Sequence, residues 1–343
     1  MNVTSFSRLH PSLALTVGVG VAAITAFVLG GPLNPPAGPV TSTYKTLTEV
    51  EPRIAINATN TPGTATALFR ITLPGSYYLT GNVAGVVGKH GIEIAVAAGN
   101  SQSVTIDLMG YALAASNGSL DGISVTVANT LNGAVRNGTV RNWGGDGVDV
   151  SNSTNNLLED LRVSNNGGRG IAAGSAATVT GCTASLNTGD GISASNGSTV
   201  TGCTASSNTG NGITANSFTT ISFCSVTANL VDGIAVNNRC YVLTNQCGGT
   251  LAAPVLNSTG IHVFGNANRI EGNTLTGNHR GLDVDFTGNL IVRNAASSNT
   301  INWDISIGGN RGEFVGAAGG AAFAGSTGGS PLGSTDPWVN FSY

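Results

Sequence analysis

From residue 91 onward the chain alternates short apolar, variable, apolar triplets with stretches of Thr, Ser, Asn and Gly, and every triplet has the same preface. A Gly followed by an apolar residue stands at Gly91, Gly122, Gly147, Gly170, Gly191, Gly212, Gly233, Gly260 and Gly281, at spacings of 31, 25, 23, 21, 21, 21, 27 and 21. The triplets read "GISV" at Gly122, "GVDV" at Gly147, "GIAV" at Gly233, "GIHV" at Gly260 and "GLDV" at Gly281. Alternation over so few residues predicts a short strand with one buried face.

The period decides what the strands build. "VTGCTASLNTGDGI" (Val179 to Ile192) recurs almost unchanged as "VTGCTASSNTGNGI" (Val200 to Ile213), 21 residues on. Helical repeats need longer units and better helix formers than Thr, Ser, Asn and Gly, and a leucine-rich repeat needs a Leu frame that is absent. A β-solenoid remains, a parallel β-helix of about nine to ten coils stacked at about 4.8 Å, with the longer spacings read as loops.

Stacking turns each position into a column. Cys182, Cys203 and Cys224 follow their glycines by 12 residues, and Asn273 and Asn294 follow theirs by 13 and continue that column. Asn166, Asn187, Asn208 and Asn229, each four residues before a Gly, form a second ladder at a bend. Stacked amides satisfy one another there, so both ladders are structural. Parallel Cβ vectors predict free, buried thiols in the Cys column, and no C-x-x-C spacing supports a metal chelate. Cys240 and Cys247 flank an irregular coil, where a local disulfide is one of two open alternatives.

These coils, with "PGSYYLTGNV" (Pro74 to Val83), "GIEI" (Gly91 to Ile94) and "VTIDLMGYAL" (Val104 to Leu113), resemble the secreted bacterial right-handed parallel β-helix repeat proteins of the pectin-lyase-like superfamily over roughly residues 66 to 310. The resemblance implies a right-handed coil. It implies a scaffold more than a chemistry, since members include polysaccharide lyases, hydrolases, epimerases and proteins without assigned activity, and the last group is the most similar.

Outside the repeat the text changes. Residues 1–31 carry the uncharged apolar run Leu13 to Gly31, which reads as a signal peptide or membrane anchor, with cleavage expected near Gly30. Export follows in either case, to a secreted, periplasmic or cell-surface location, and the membrane enters only if the segment is retained. Residues 32–44 read as a Pro-rich spacer, 45–80 as an N-terminal cap, 81–311 as the β-helix, and 312–343 as a Gly/Ala-rich tail whose Trp338 and Phe341 are expected to cover the last coil.

Charge narrows the partners. Only 9% of residues are charged, the net charge is -3, there are two lysines (Lys45 and Lys89), and the arginines are scattered along the chain, which disfavours nucleic acid. A polysaccharide or cell-surface glycan is the expected partner. Trp143, Phe264 and Trp303 are the rings expected to stack on sugars.

Catalytic sets are incomplete. His90-Gly91 is present but no Arg-x-Lys occurs, so the polygalacturonase type of site is missing as a set. The residue before the Gly runs Asp121, Asp146, Arg169, Asp190, Asn211, Asp232, with Asp149 nearby, and Asp beside a turn glycine is ordinary turn chemistry. A denser cluster lies further on, where His262 and Asp283 occupy the same outward slot in adjacent coils, Asp285 follows on the same face, and His279 and Arg280 precede Gly281. An acid pair with an Arg and a His on one face could bind a metal ion or a uronate carboxylate. No cofactor is expected, and calcium, which the lined-up aspartates could take, has no specific motif to support it. The expectation is a non-catalytic, carbohydrate- or surface-associated β-helix, with a polysaccharide lyase or glycoside hydrolase on acidic polysaccharide as the alternative. Ice binding, from Thr178-x-Thr180 above Thr199-x-Thr201, is a minor one.

Overall fold

The computed structural model describes residues 52–97, 103–116, 118–127, 132–249, 258–305, 310, 313–316, 322–325, 328–329 and 337–342, without the side chains of 313–329. The apolar run Leu13 to Gly31, the Pro-rich spacer and the start of the expected cap lie outside them. Residues 53–343 form one compact unit.

Every strand pairing in that unit is parallel, and no helix occurs among the described residues. The fold is a right-handed parallel β-helix with three faces. The first sheet follows the glycine column, with strands such as Ile192–Ala194, Ile213–Ala215, Ile234–Val236, Thr259–Val263 and Arg280–Val284. The second carries Thr178–Thr180, Thr199–Thr201, Thr220–Ser222, Tyr241–Leu243, Arg269–Glu271 and Leu290–Val292, and each strand of the third follows one of these after two intervening residues. The first sheet has twelve strands rather than nine or ten, because coils without a Gly-apolar preface also join it. Ala67–Ile71 and Gly75–Tyr78, inside the stretch assigned to a cap, pair with His90–Ile94 and Val104–Asp107 as an ordinary coil. At the other end Asn302 takes the glycine slot and Trp303 the inward one.

The glycine column is set by close approach. A Cβ on Gly191 would lie 2.7 Å from the carbonyl oxygen of Gly212 and 2.6 Å from Nδ2 of Asn208, so backbone stacks on backbone and on the asparagine ladder with no room for a side chain. Inward positions of the three sheets form files of Ile, Val, Leu and Ala that are almost wholly buried. Each fully buried Ile or Val contributes about 2 kcal/mol of transfer energy.

Each regular coil turns corners through residues with left-handed backbone, such as Leu186 (φ 57), Ser207 (φ 56) and Ala228 (φ 55), each followed by an inward ladder residue. Asn166, Asn187, Asn208 and Asn229 form one such ladder. The amide oxygen of Asn208 accepts both the backbone N–H and Nδ2 of Asn187 at 3.0 Å, and the amide oxygen of Asn229 accepts the same two groups of Asn208. At a second corner Cys182, Cys203 and Cys224 hand over to asparagines, Cys224 N–H donating to Asn245 and the ladder continuing through Asn273, Asn294 and Asn340. A third corner runs from Cys240 into Asn268 and Asn289.

This placement answers the disulfide question. Cys240 sits in a corner ladder while Cys247 lies in the inward file of the third sheet beside Val226 and Leu275, so the two thiols are separate, buried and free. The C-terminal expectation also needs correction. Trp338 and Phe341 are half exposed, and the buried residues of this segment are Val339, Asn340 and Ser342, the last two in a strand paired on both sides. In the strand Asn340–Ser342 alternation turns Phe341 outward, while Trp338 lies on the turn before it.

Candidate active site

The residue before each column glycine has two jobs. Its Oδ1 accepts the backbone N–H of the equivalent residue one coil on: Asp121 from Asp146 at 2.8 Å, Asp146 from Arg169 at 2.6 Å, Asp190 from Asn211 at 2.8 Å, Asn211 from Asp232 at 3.0 Å, and Asp232 from Thr259 at 2.8 Å. In the aspartates the second oxygen faces outward and holds a side chain. Asp146 Oδ2 takes Arg169 at 2.8 Å, and Asp190 Oδ2 takes the Thr214 hydroxyl at 2.8 Å. Asp232 Oδ2 takes Nδ1 of His262 at 2.9 Å.

His262 stands on the outer surface of Thr259–Val263, in register with Asp283 and then Asp304. With Nδ1 fixed by buried Asp232, Nε2 is aimed at Asp285 (3.2 Å) and Asp283 (3.8 Å). Phe264 packs on the imidazole, with ring centroids 3.8 Å apart. Burial alone would lower the His262 pKa. The Asp232 hydrogen bond and the charges of Asp232, Asp283 and Asp285 outweigh it and raise the pKa above its ordinary value. Burial raises the Asp283 carboxyl above the usual range, against the pull of His262 and Arg280. Arg280 pairs with Asp283 and with Asp304, each at 2.9 Å.

Counting Asp232, Asp283, Asp285 and Asp304 against Arg280 and a protonated His262, the cluster carries -4 + 2 = -2. His262, Asp283 and Asp285 each offer a ligand atom within 4.8 Å of the others, and these are the residues among those described that could hold a cation. The site lies on an open face. A cleft of about 300 Å³ lies in the first coil, lined by Asn60, Thr64, Arg70 and Tyr77 among others, away from this cluster.

The other expected residues part company with the site. His279 lies on the turn before Arg280, and its buried Nδ1 has no hydrogen-bond partner among the described residues. Trp143 and Trp303 are buried, so neither ring can stack on a sugar. Trp143 occupies a slot of the asparagine ladder, its N–H donating to Asn166, because the coil there needs bulk beneath Gly91 and Gly122. Phe264 is exposed. The Thr-x-Thr ranks cover three coils, Thr178 to Thr220 and Thr180 to Ser222, and end at Tyr241 and Leu243. Asp232 as the partner of His262 and Asp304 as the partner of Arg280 escape a sequence reading. A 27-residue coil separates Gly233 from Gly260, so their fixed offset is hidden, and only the column register recovers it.

Known structures share this architecture. The A-module of the Azotobacter vinelandii mannuronan C-5 epimerase AlgE6 superposes with a TM-score of 0.56 at 16% identity, covering 84% of this chain and 87% of that one. The A-module of AlgE4, a mannuronan C-5 epimerase from the same organism, gives 0.52 at 13% identity over 76% of this chain and 88% of that one. At such identities the likeness concerns the fold. No curated protein matches the sequence significantly. Residues 121–301, more than half of the chain, match the family described as a right handed beta helix region. On that match, and on three parallel sheets wound in one register, the chain belongs to the right-handed β-helix family.

Proposed function

We propose that this is an exported, carbohydrate-associated β-helix and that the His262 cluster transfers a proton in the cleavage of a polysaccharide. The observation that carries the reading is the Asp232–His262 pair, which presents Nε2 to the surface beside two carboxylates. An imidazole so oriented and biased toward its protonated form suits a general acid, and Asp285, exposed beside it, suits the complementary base. The similarity in fold to two mannuronan C-5 epimerases adds weight to the carbohydrate side. Export rests on the apolar run Leu13 to Gly31.

The test is an assay of product ends and of unsaturated products on polyuronate and neutral glucan. Turnover that falls at least about a hundredfold in His262→Ala and substantially in Asp232→Asn is expected. Turnover untouched by either substitution, or none on any polysaccharide, overturns the catalytic role. The openness of the cluster, with Asp285 and Phe264 both exposed, favours a second reading in which the face binds sugar without cleaving it. Binding without turnover would select that reading.

A further inference from the structure

The corner columns contain an anomaly away from His262. On the corner between first and second sheets the left-handed slot is held by Gly197, then Phe218 (φ 63), then Arg239 (φ 57). On the corner between second and third sheets it is held by Gly181 and Gly202, then Phe223 (φ 55), later Gly272 and Arg293 (φ 58). A bulky aromatic is rare in that region of backbone space, and glycine fills it without strain. Both phenylalanines nevertheless belong to one coil, flank one strand, Thr220–Ser222, and are 58% and 68% exposed. Neither ring serves the core.

Cations gather around them. Tyr241, also exposed, follows Thr220 in register and is followed by Arg269. The Arg239 guanidinium lies 5.1 Å from the Phe218 ring centroid, and that of Arg293 lies 3.9 Å from the ring of Trp338. Glu271 bridges Arg269 (2.6 Å) and Arg293 (3.2 Å). Arginines 30 and 24 residues apart in sequence thus share one face, three positive charges against one negative, while the first-sheet cluster is net negative. From Phe218 to Phe223 the face is about 15 Å wide, and from Phe223 to Arg293 about 15 Å long.

We propose that the second sheet between Phe218 and Arg293 is a docking face for an anionic polysaccharide. The rings offer flat apolar surface to sugar faces, and the guanidinium groups pair with carboxylate or sulfate. Charge complementarity selects this occupant over a neutral glycan. The same groups would also suit single-stranded nucleic acid, but one phosphate per nucleotide calls for denser cations than three arginines partly neutralised by Glu271. The inference rests on the carbohydrate reading above but not on His262, and it assigns this face to holding the polymer while the first sheet presents the proton-transfer cluster.

The full chain is titrated calorimetrically with polygalacturonate, a neutral glucan and a thymidylate oligomer. Polygalacturonate should bind at least tenfold more tightly than either of the others and weaken as salt rises. A Phe218→Gly/Phe223→Gly variant puts back the residue found in the same slots of neighbouring coils, so its melting temperature should hold while affinity falls at least tenfold. An Arg269→Gln/Arg293→Gln variant should lose a similar factor. Where turnover is present, the ring variant should raise KM and keep kcat, and where it is absent the binding arm stands by itself. Unchanged affinity in either double variant, or tighter binding of the thymidylate oligomer than of polygalacturonate, overturns the docking face.

Discussion

The coil that begins at Gly212 and the coil that begins at Gly260 share a glycine close approach, a buried Ile or Val file and an asparagine beneath, yet they differ in what the outward slots do. In the first, Asp190 closes its outer oxygen on Thr214, whose hydroxyl accepts from Asn211, itself bonded to Asp190, so the hydrogen bonds form a closed ring. In the second, the equivalent oxygen of Asp232 closes on His262, whose far nitrogen opens onto Asp283 and Asp285. The scaffold is identical and the chemistry is not. A solenoid separates the two because inward and corner positions carry the stability, while a change at an outward slot disturbs no neighbour in the core.

If the two coils are equal as scaffold, Gly212→Ala and Gly260→Ala should be equally damaging. Each Cβ would come within 2.7 Å of the next glycine's carbonyl oxygen and within 2.8 Å of an asparagine Nδ2. A loss of about 3 kcal/mol in denaturant unfolding is expected from each. A tolerated alanine at one position only would break the equivalence. Asn208→Ala comes next, since it strips the acceptor from both the N–H and the Nδ2 of Asn187 and should cost about 2 kcal/mol.

The smallest effects separate the two acids. Asp190→Asn and Asp232→Asn both keep an oxygen for the next coil's N–H, so each should change stability little. Their pH dependence should differ. Because the folded pKa of His262 is raised above about 6.5, its contribution to stability is complete below that pH and is lost as pH rises through the raised folded value. Melting followed from pH 5 to 9 should show that decline in the wild type and in Asp190→Asn, and a weaker one in Asp232→Asn. Titration of the His262 ring signals by NMR should give a lower pKa in Asp232→Asn, and an unmoved pKa would remove Asp232 as its partner.

How much of this a sequence can show depends on whether a feature repeats. The glycine column, the Cys182–Cys203–Cys224 file and the Asn166–Asn229 ladder are visible because 21-residue arithmetic carries them from coil to coil. The same arithmetic puts His262 beside Asp283. It fails where a coil changes length, which hides the links of Asn245 to Asn273 and of Asp232 to His262, and it fails for Trp143 and Trp303, whose rings lie in the core. Arginines that look dispersed along the chain converge on the second sheet for the same reason: separation in sequence is no measure of separation across stacked coils. Phe218 and Phe223 had a signal, the replacement of Gly197 and Gly202 one period earlier, but it becomes meaningful only once those slots are known to be left-handed and outward.

The amide ladders have a direction. Each asparagine receives from the coil before it and gives to the coil after it, so every link joins one coil to its successor and none skips. An insertion that shifts a corner would leave a ladder amide opposite a residue that cannot accept it, whereas the longer coil between Asn245 and Asn273 keeps its link across 28 residues. One whole period can be added or removed in the regular region with every amide still matched. The rod can therefore grow or shrink by gene duplication in quanta of one coil, about 4.8 Å each, and its length is a property that selection can adjust without redesigning the protein.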